Sequence, residues 1–174
     1  MKTLVAIMMG SDSDLSVMQE AAKVLEEFGI GSEVHVLSAH RTPAATLAYV
    51  SKASKAGVRV FICGAGGAAH LAGVVAAHTA LPVIGVPIGN KATGGVDALY
   101  ATVQMPPGIP VATVAIGGAK NAGILAAQII GAGDAEMEQR VGAYKAKMAK
   151  DILKKDAELQ KKGFKQYLSD HGLV

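Results

Sequence analysis

The sequence predicts an α/β fold: a three-layer, doubly wound parallel sheet with a long C-terminal helix. Three observations carry this prediction. Short apolar runs alternate with longer segments of helical periodicity from Leu4 to Ile130, the signature of repeated strand–helix units. Several runs, Val58–Cys63 among them, are apolar without alternation, as strands are when both faces of a parallel sheet are covered. Beyond Asp134 the strands cease and apolar residues recur at helical spacing through a charged tail.

Leu4–Met9 reads as the first strand. Leu15–Phe28 is an amphipathic helix, with Val17, Met18, Ala21, Ala22, Val24 and Leu25 opposite Glu20, Lys23, Glu26 and Glu27; Gly29 and Gly31 stop it. Glu33–Leu37 alternates in polarity, which suits a place near a sheet edge. Pro43 opens a helix reaching about Lys55 and closed by Gly57, since proline is favoured in a first turn. Val58–Cys63 is the third strand, Ala68–His78 a helix of small residues, and Pro82–Val86 a fourth strand ended by Pro87. Val96–Gln104 is a helix stopped by Pro106-Pro107-Gly108; Val111–Ile116 is the fifth strand and Asn121–Ile130 the next helix. Right-handed crossovers place helices on both faces, a flavodoxin- or Rossmann-like arrangement whose ligand site belongs beyond the carboxyl ends of the strands. Met137, Val141, Tyr144, Met148, Ile152 and Leu159 mark one long helix over Asp134–Lys162. The expected organisation is one domain, 1–174, with an α/β core over 1–131. The extension over 132–174 is expected to pack on neighbouring subunits.

Composition narrows the function classes. Hydrophobic residues make up 51% and charged residues 18% of 174, rich enough to predict surface buried between subunits. The net charge of +3 is diffuse: nine Lys/Arg meet seven Asp/Glu from Asp134 onward, and eight meet seven before it. That pattern is a solvated helix face, without the basic cluster and aromatic platform of a nucleic-acid binder. Cys63, the single cysteine, sits in an apolar strand and reads as a buried structural thiol. No Cys/His spacing suggests a metal site. No signal peptide precedes the first strand, and no apolar run is long enough to span a bilayer, so a cytoplasmic location is expected.

The candidate chemistry lies in the loops after the strands. In Ser38-Ala39-His40-Arg41-Thr42-Pro43, histidine can exchange a proton near neutral pH. The adjacent arginine offers a planar fork for carboxylate or phosphate. The same stretch also serves as a helix start, with Thr42 as cap. Gly10-Ser11-Asp12-Ser13-Asp14 offers backbone N–H groups and hydroxyls for an anion and carboxylates for ribose hydroxyls, or plain N-capping. Gly64-Ala65-Gly66-Gly67-Ala68-Ala69-His70-Leu71 permits close backbone approach to a ligand; His70 either contacts it or holds the loop. A dinucleotide fingerprint is disfavoured here, because the loop follows the third strand and the acidic residue expected about 20 positions on is missing. Gly89–Gly95 is a polar, mobile-looking loop suited to closing over a ligand or meeting a neighbour, and Gly117–Asn121 follows the fifth strand. All these loops are expected on one edge of the sheet. His35 and His78 read as structural, and His171 as solvent-exposed.

Together, Met9–Asp14, Ser38–Pro43, Ala65–Leu71, Leu81–Pro87 and Val103–Pro106 resemble the N5-carboxyaminoimidazole ribonucleotide mutases of purine biosynthesis. The resemblance runs in order from about Leu4 to Ile130. It implies a homo-octamer with sites at subunit boundaries. The implied reaction converts N5-carboxyaminoimidazole ribonucleotide to 4-carboxy-5-aminoimidazole ribonucleotide without metal, ATP, biotin or other cofactor. Carried onto matching positions, it makes His40 the proton-transfer residue and Ser11, Asp14 and Arg41 ribonucleotide ligands. Ser38 and the Gly64–Leu71 loop, with Gly66, Gly67, His70 and Leu71, line the pocket. A sister class carboxylates aminoimidazole ribonucleotide directly with carbon dioxide; it is the alternative. That class replaces the Gly-Gly-Ala-Ala-His-Leu segment, which this chain retains. Ala72 stands where many mutases have proline, and the Gly117–Asn121 segment is shorter than in some members.

Overall fold

The computed structural model describes residues 2–173; Met1 and Val174, the outermost residues of the expected domain, lie outside the described residues. Five parallel strands form one sheet in the order β2-β1-β3-β4-β5: β1 (Thr3–Met9), β2 (Gly31–Val36), β3 (Val60–Gly66), β4 (Val83–Ile88) and β5 (Ala112–Thr113). The helices that follow them, one after each strand, are α1 (Leu15–Glu27), α2 (Pro43–Ala56), α3 (Leu71–Ala76), α4 (Val96–Val103) and α5 (Ala119–Gly131). A 28-residue α6 (Ala135–Lys162) and a short α7 (Phe164–Asp170) complete the chain.

Strand alternation sorts two cores. Val5, Ile7 and Met9 of β1, with Val60 and Ile62 of β3 and Ile84 and Val86 of β4, pack against Met18, Val24 and Leu25 of α1 and Ala122 and Ala126 of α5. Ala6, Met8, Phe61 and Cys63 turn the other way, toward Val50 of α2 and Leu71, Ala72 and Val75 of α3. The sheet is thus covered on both faces, which explains the continuous apolar runs. β2 is an edge strand, as its alternating polarity predicts; Val34 and Val36 are exposed. The two cores need close approach in places. A Cβ on Gly64 would lie 2.4 Å from Met18 Sδ, and one on Gly85 2.3 Å from Thr102 Cγ2.

Several boundaries differ from expectation, those of β4, β5 and α3 among them. Pro87 lies inside β4, opposite Ala65 of β3, and does not end the strand. Its carbonyl accepts from Gly117 N at 2.9 Å, so its missing N–H also faces the β5 side, past the end of that two-residue strand where no ladder needs it. β5 is shorter than Val111–Ile116, although Val114 N still donates to Gly85 O. The helix expected over Ala68–His78 is confined to Leu71–Ala76, because β3 continues to Gly66 and a turn at Gly67 (φ +60°) intervenes.

The first turns of α6 pack on the core through Met137 and Val141. Tyr144 meets Phe28 with ring centroids 5.2 Å apart, and Arg140 Nη1 donates to Phe28 O at 2.9 Å. Asp134 caps the helix, accepting from the N–H groups of Glu136 and Met137. Further along, Met148, Ile152 and Leu153 are 46%, 63% and 67% exposed.

Candidate active site

The chain leaves β1 toward β2 on one side and returns to β3 on the other. In such a sheet the loops part at this switch point and leave a crevice beyond the strand ends. A cavity of about 630 Å³ lies there, lined by loops following β1, β2, β3 and β4. Ser11, Asp14, Ser38, His40, Arg41, Gly66, Gly67, His70 and Leu71 all stand on its wall. The Gly117–Asn121 loop does not line it.

The β2 loop is held from within. Ser38, 8% exposed, donates from its backbone N–H to Thr42 Oγ1 at 2.9 Å and accepts the Arg41 N–H on its own Oγ at 3.1 Å. Its carbonyl accepts from the hydroxyls of Thr42 and Thr46. Thr42 stands at the cap position of α2, but its side chain makes no cap hydrogen bond there; it braces Ser38 instead. Arg41 reaches across the crevice, with Nη2 donating to Gly10 O and Nε to Ser38 Oγ at 3.5 Å. It therefore ties the first two strand-end loops together.

In the β1 loop, Asp12–Asp14 forms a turn of 3-10 helix capped by Ser11, whose Oγ accepts from Ser13 N and from Ser13 Oγ. Burial pushes the Asp14 carboxyl above its ordinary range; the Ser13 hydroxyl and the Arg41 charge pull it part of the way back, and Asp12 adds to the rise. Hydroxyls, a carboxylate and a guanidinium thus share one corner, a donor and acceptor set suited to a polar anionic ligand.

His40 and His70 meet on the wall of the same cavity. His40 Nε2 lies 2.7 Å from His70 Nδ1, the rings edge to face at 86°. At that distance an N–H of one ring donates to the lone pair of the other, so each tautomer depends on its partner's. Thirty residues separate them, and no sequence spacing announces the contact. Ile88, Gly89 and Asn90 also line the cavity. Sequence reasoning passed over Ile88 by ending β4 at Pro87; the signal for the other two was the polar Gly89–Gly95 loop, which it named without choosing residues. Ala39, Ala65 and Ala68 add small apolar side chains to the cavity wall.

The remaining histidines are occupied locally. His35 contacts Glu33 at 3.2 Å and packs on Tyr49; the Nδ1 atoms of His78 and His171 contact the carbonyls of Val74 and Tyr167. Cys63 is buried, and burial pushes its thiol well above the ordinary range. Among the described residues, no cluster of three or more His, Cys, Asp or Glu side chains is placed to hold a metal ion.

Fold and cavity together define an α/β protein with a small-molecule site at the switch point of a parallel sheet. The AIR carboxylase family model matches residues 4–151, and the chain belongs to that family. It is 53% identical over 165 residues to the N5-carboxyaminoimidazole ribonucleotide mutase of Thermotoga maritima, covering 95% of this chain and 96% of that one. The protein of the same name from Pyrococcus horikoshii is 52% identical over 169 residues, with coverages of 97% and 96%. The phosphoribosylaminoimidazole carboxylase of Saccharomyces cerevisiae is 49% identical over 169 residues, which span 97% of this chain and 30% of that protein. The crystal structure of Treponema denticola PurE matches with a TM-score of 0.83 at 31% identity, over 90% of this chain and 98% of that one.

Proposed function

We propose that this chain is an isomerase of purine biosynthesis that converts N5-carboxyaminoimidazole ribonucleotide to 4-carboxy-5-aminoimidazole ribonucleotide. The observation that carries the reading is the His40–His70 pair, 2.7 Å apart and sharing a cavity with Arg41. It stands in a chain that matches mutases along nearly its whole length.

The residues suit the steps. Arg41, Ser11 and Asp14 bind the ribonucleotide: guanidinium and hydroxyl toward phosphate, carboxylate toward ribose hydroxyls. Protonated His40 gives its proton to the exocyclic nitrogen as the nitrogen–carboxyl bond breaks and carbon dioxide is released. Ring C4 attacks the carbon of carbon dioxide, forming the new carbon–carbon bond. C4 then bears both hydrogen and carboxylate, and neutral His40 removes that hydrogen. The ring regains aromaticity and His40 its proton, so none is gained or lost overall. Ser38, Gly66, Gly67, His70 and Leu71 enclose the migrating group, which turns recapture of the gas into an oriented encounter. The resemblance calls for no metal or organic cofactor.

The proposal includes a homo-octamer in the cytoplasm, with the part of residues 132–174 beyond Tyr144 packed on neighbouring subunits. The exposed Met148, Ile152 and Leu153 of α6 support that packing, and no helix among the described residues is long and apolar enough to cross a membrane.

The test supplies N5-carboxyaminoimidazole ribonucleotide to purified protein and follows the 4-carboxylated product. No acceleration over the spontaneous rate overturns the reading. Aminoimidazole ribonucleotide with bicarbonate, tried in parallel, is expected to react far less efficiently; the reverse order would make the chain a direct carboxylase. His40→Asn is expected to lower kcat by about 10²–10⁴-fold, the usual worth of general acid–base catalysis, while ligand binding persists.

A further inference from the structure

The Gly89–Gly95 loop holds a charge that the mechanism above leaves unused. Its shape is fixed from inside. Asn90 Oδ1 accepts from the N–H groups of Ala92 and Thr93, both at 2.9 Å. Thr93 Oγ1 donates to Asp97 Oδ1 at 2.5 Å, and Asn90 Nδ2 reaches both oxygens of the same carboxylate at 3.2 and 3.3 Å. The Ala98 N–H adds a third donor at 2.8 Å. Asp97, the acid of this segment, is therefore turned inward and occupied.

Lys91, the base of the segment, is not paired with it. It follows cavity-lining Asn90 on the crown of the turn and is exposed. Among the described residues, no carboxylate stands within 4 Å of its ammonium. Two other cations occupy the same edge of the sheet. Arg41 is engaged with Gly10 and Ser38, and Lys120, in the first turn of α5, acts on Glu20.

Charge balance then leaves a gap. Apart from the histidines, the charged side chains on the cavity wall are Asp14 and Arg41, one of each sign. A ribonucleotide bearing a phosphate and a carboxyl group carries several negative charges, which these two groups and one proton on His40 do not match.

We propose that Lys91 is a further substrate-binding residue, whose ammonium meets an anionic group of the ribonucleotide at the mouth of the cavity. The inference rests on the ribonucleotide reading given above. A lysine on a pinned turn combines a fixed root with a flexible stem and a compact charge. At a water-exposed mouth that charge acts through a salt-screened field. It contributes to ground state and transition state alike, so its loss appears in KM and leaves kcat in place.

The experiment compares Lys91→Ala, Lys91→Glu and Lys91→Arg with the wild type and with Lys55→Ala, a change of equal charge at the exposed end of α2. Steady-state kinetics with N5-carboxyaminoimidazole ribonucleotide are measured at low and high KCl. Lys91→Ala is expected to raise KM about tenfold with kcat within about twofold. Lys91→Glu raises it further, Lys91→Arg returns to within about threefold, and Lys55→Ala matches the wild type. The KM of the wild type climbs with KCl more steeply than that of Lys91→Ala. A Lys91→Ala KM within about twofold of the wild type, or a fall in kcat in its place, overturns the proposal. Should the wild type turn over no substrate, the mutase reading fails on its own. Calorimetric binding of aminoimidazole ribonucleotide then decides Lys91: weaker binding by Lys91→Ala supports it, and equal binding overturns it.

Discussion

Two residues show how the site is built into the core beneath it. Gly64 ends a run of buried β3 side chains, and the space its Cβ would need is filled by Met18 Sδ at 2.4 Å. Met18 is itself fully buried and has nowhere to retreat. Gly64→Ala is therefore expected to cost about 1–3 kcal/mol, the usual penalty for overpacking, measured by urea unfolding. Asp14 carries the opposite kind of strain. Its carboxyl is raised above the ordinary range chiefly by burial, so the folded chain holds that proton more tightly than the unfolded chain does. Stability from this group is greatest below the unfolded value and is lost as pH rises through the folded one. Asp14→Asn is thus expected to be more stable than the wild type at neutral pH, with the gap closing toward acid. Thermal melts across pH 3–7 check this, and a gap that widened toward acid would contradict it. The same substitution should weaken ribonucleotide binding, since an amide replaces the charged acceptor for ribose hydroxyls. Both residues were visible in the sequence as members of glycine-rich or acidic loops. Their consequences were not, because they depend on neighbours in other elements.

At the scale of elements, local chemistry was legible at most of the start and stop signals in the chain. Pro43 and Asp134 open α2 and α6 where expected. Pro87 misled for a physical reason: proline ends strands only where its missing N–H faces a partner, and here β5 stops short of it. Asp134 accepts from two backbone N–H groups, at 3.0 and 3.1 Å. Asp134→Ala should cost about 1 kcal/mol and lower Tm by about 2–4 °C for a chain of this size, read by calorimetry. The loss is expected to fall on the start of α6, where Met137 and Val141 enter the core, and hydrogen exchange there should accelerate first. An unchanged melting curve would mean that packing alone holds this helix start.

At the scale of the molecule, part of the apolar surface lies outside the core, some of it on the tail. The turns of α6 beyond Tyr144 carry Ile152 and Leu153 into solvent at 63% and 67% exposure. Side chains so exposed add little to the stability of one subunit, yet adjacent apolar positions of this kind suit burial between subunits. Ile152→Glu with Leu153→Glu is expected to leave the circular dichroism spectrum intact and to reduce the mass measured by light scattering. An unchanged oligomeric mass would show that this stretch of α6 lies outside any subunit contact.

The amino-acid order by itself determined the strand–helix alternation, the edge position of β2, the long last helix and the loops that carry polar residues. These follow from periodicity and from proline, glycine and capping residues, which act over a few positions. The family likeness was legible for the same reason: its motifs are short and lie in those loops. Only the tertiary structure decided which loops meet. It joined His40 to His70, anchored Arg41 on Gly10, left the β5 loop outside the cavity and pinned Asp97 to Thr93. Each of these outcomes depends on strand order and register, and those are settled by how two cores close on a common sheet.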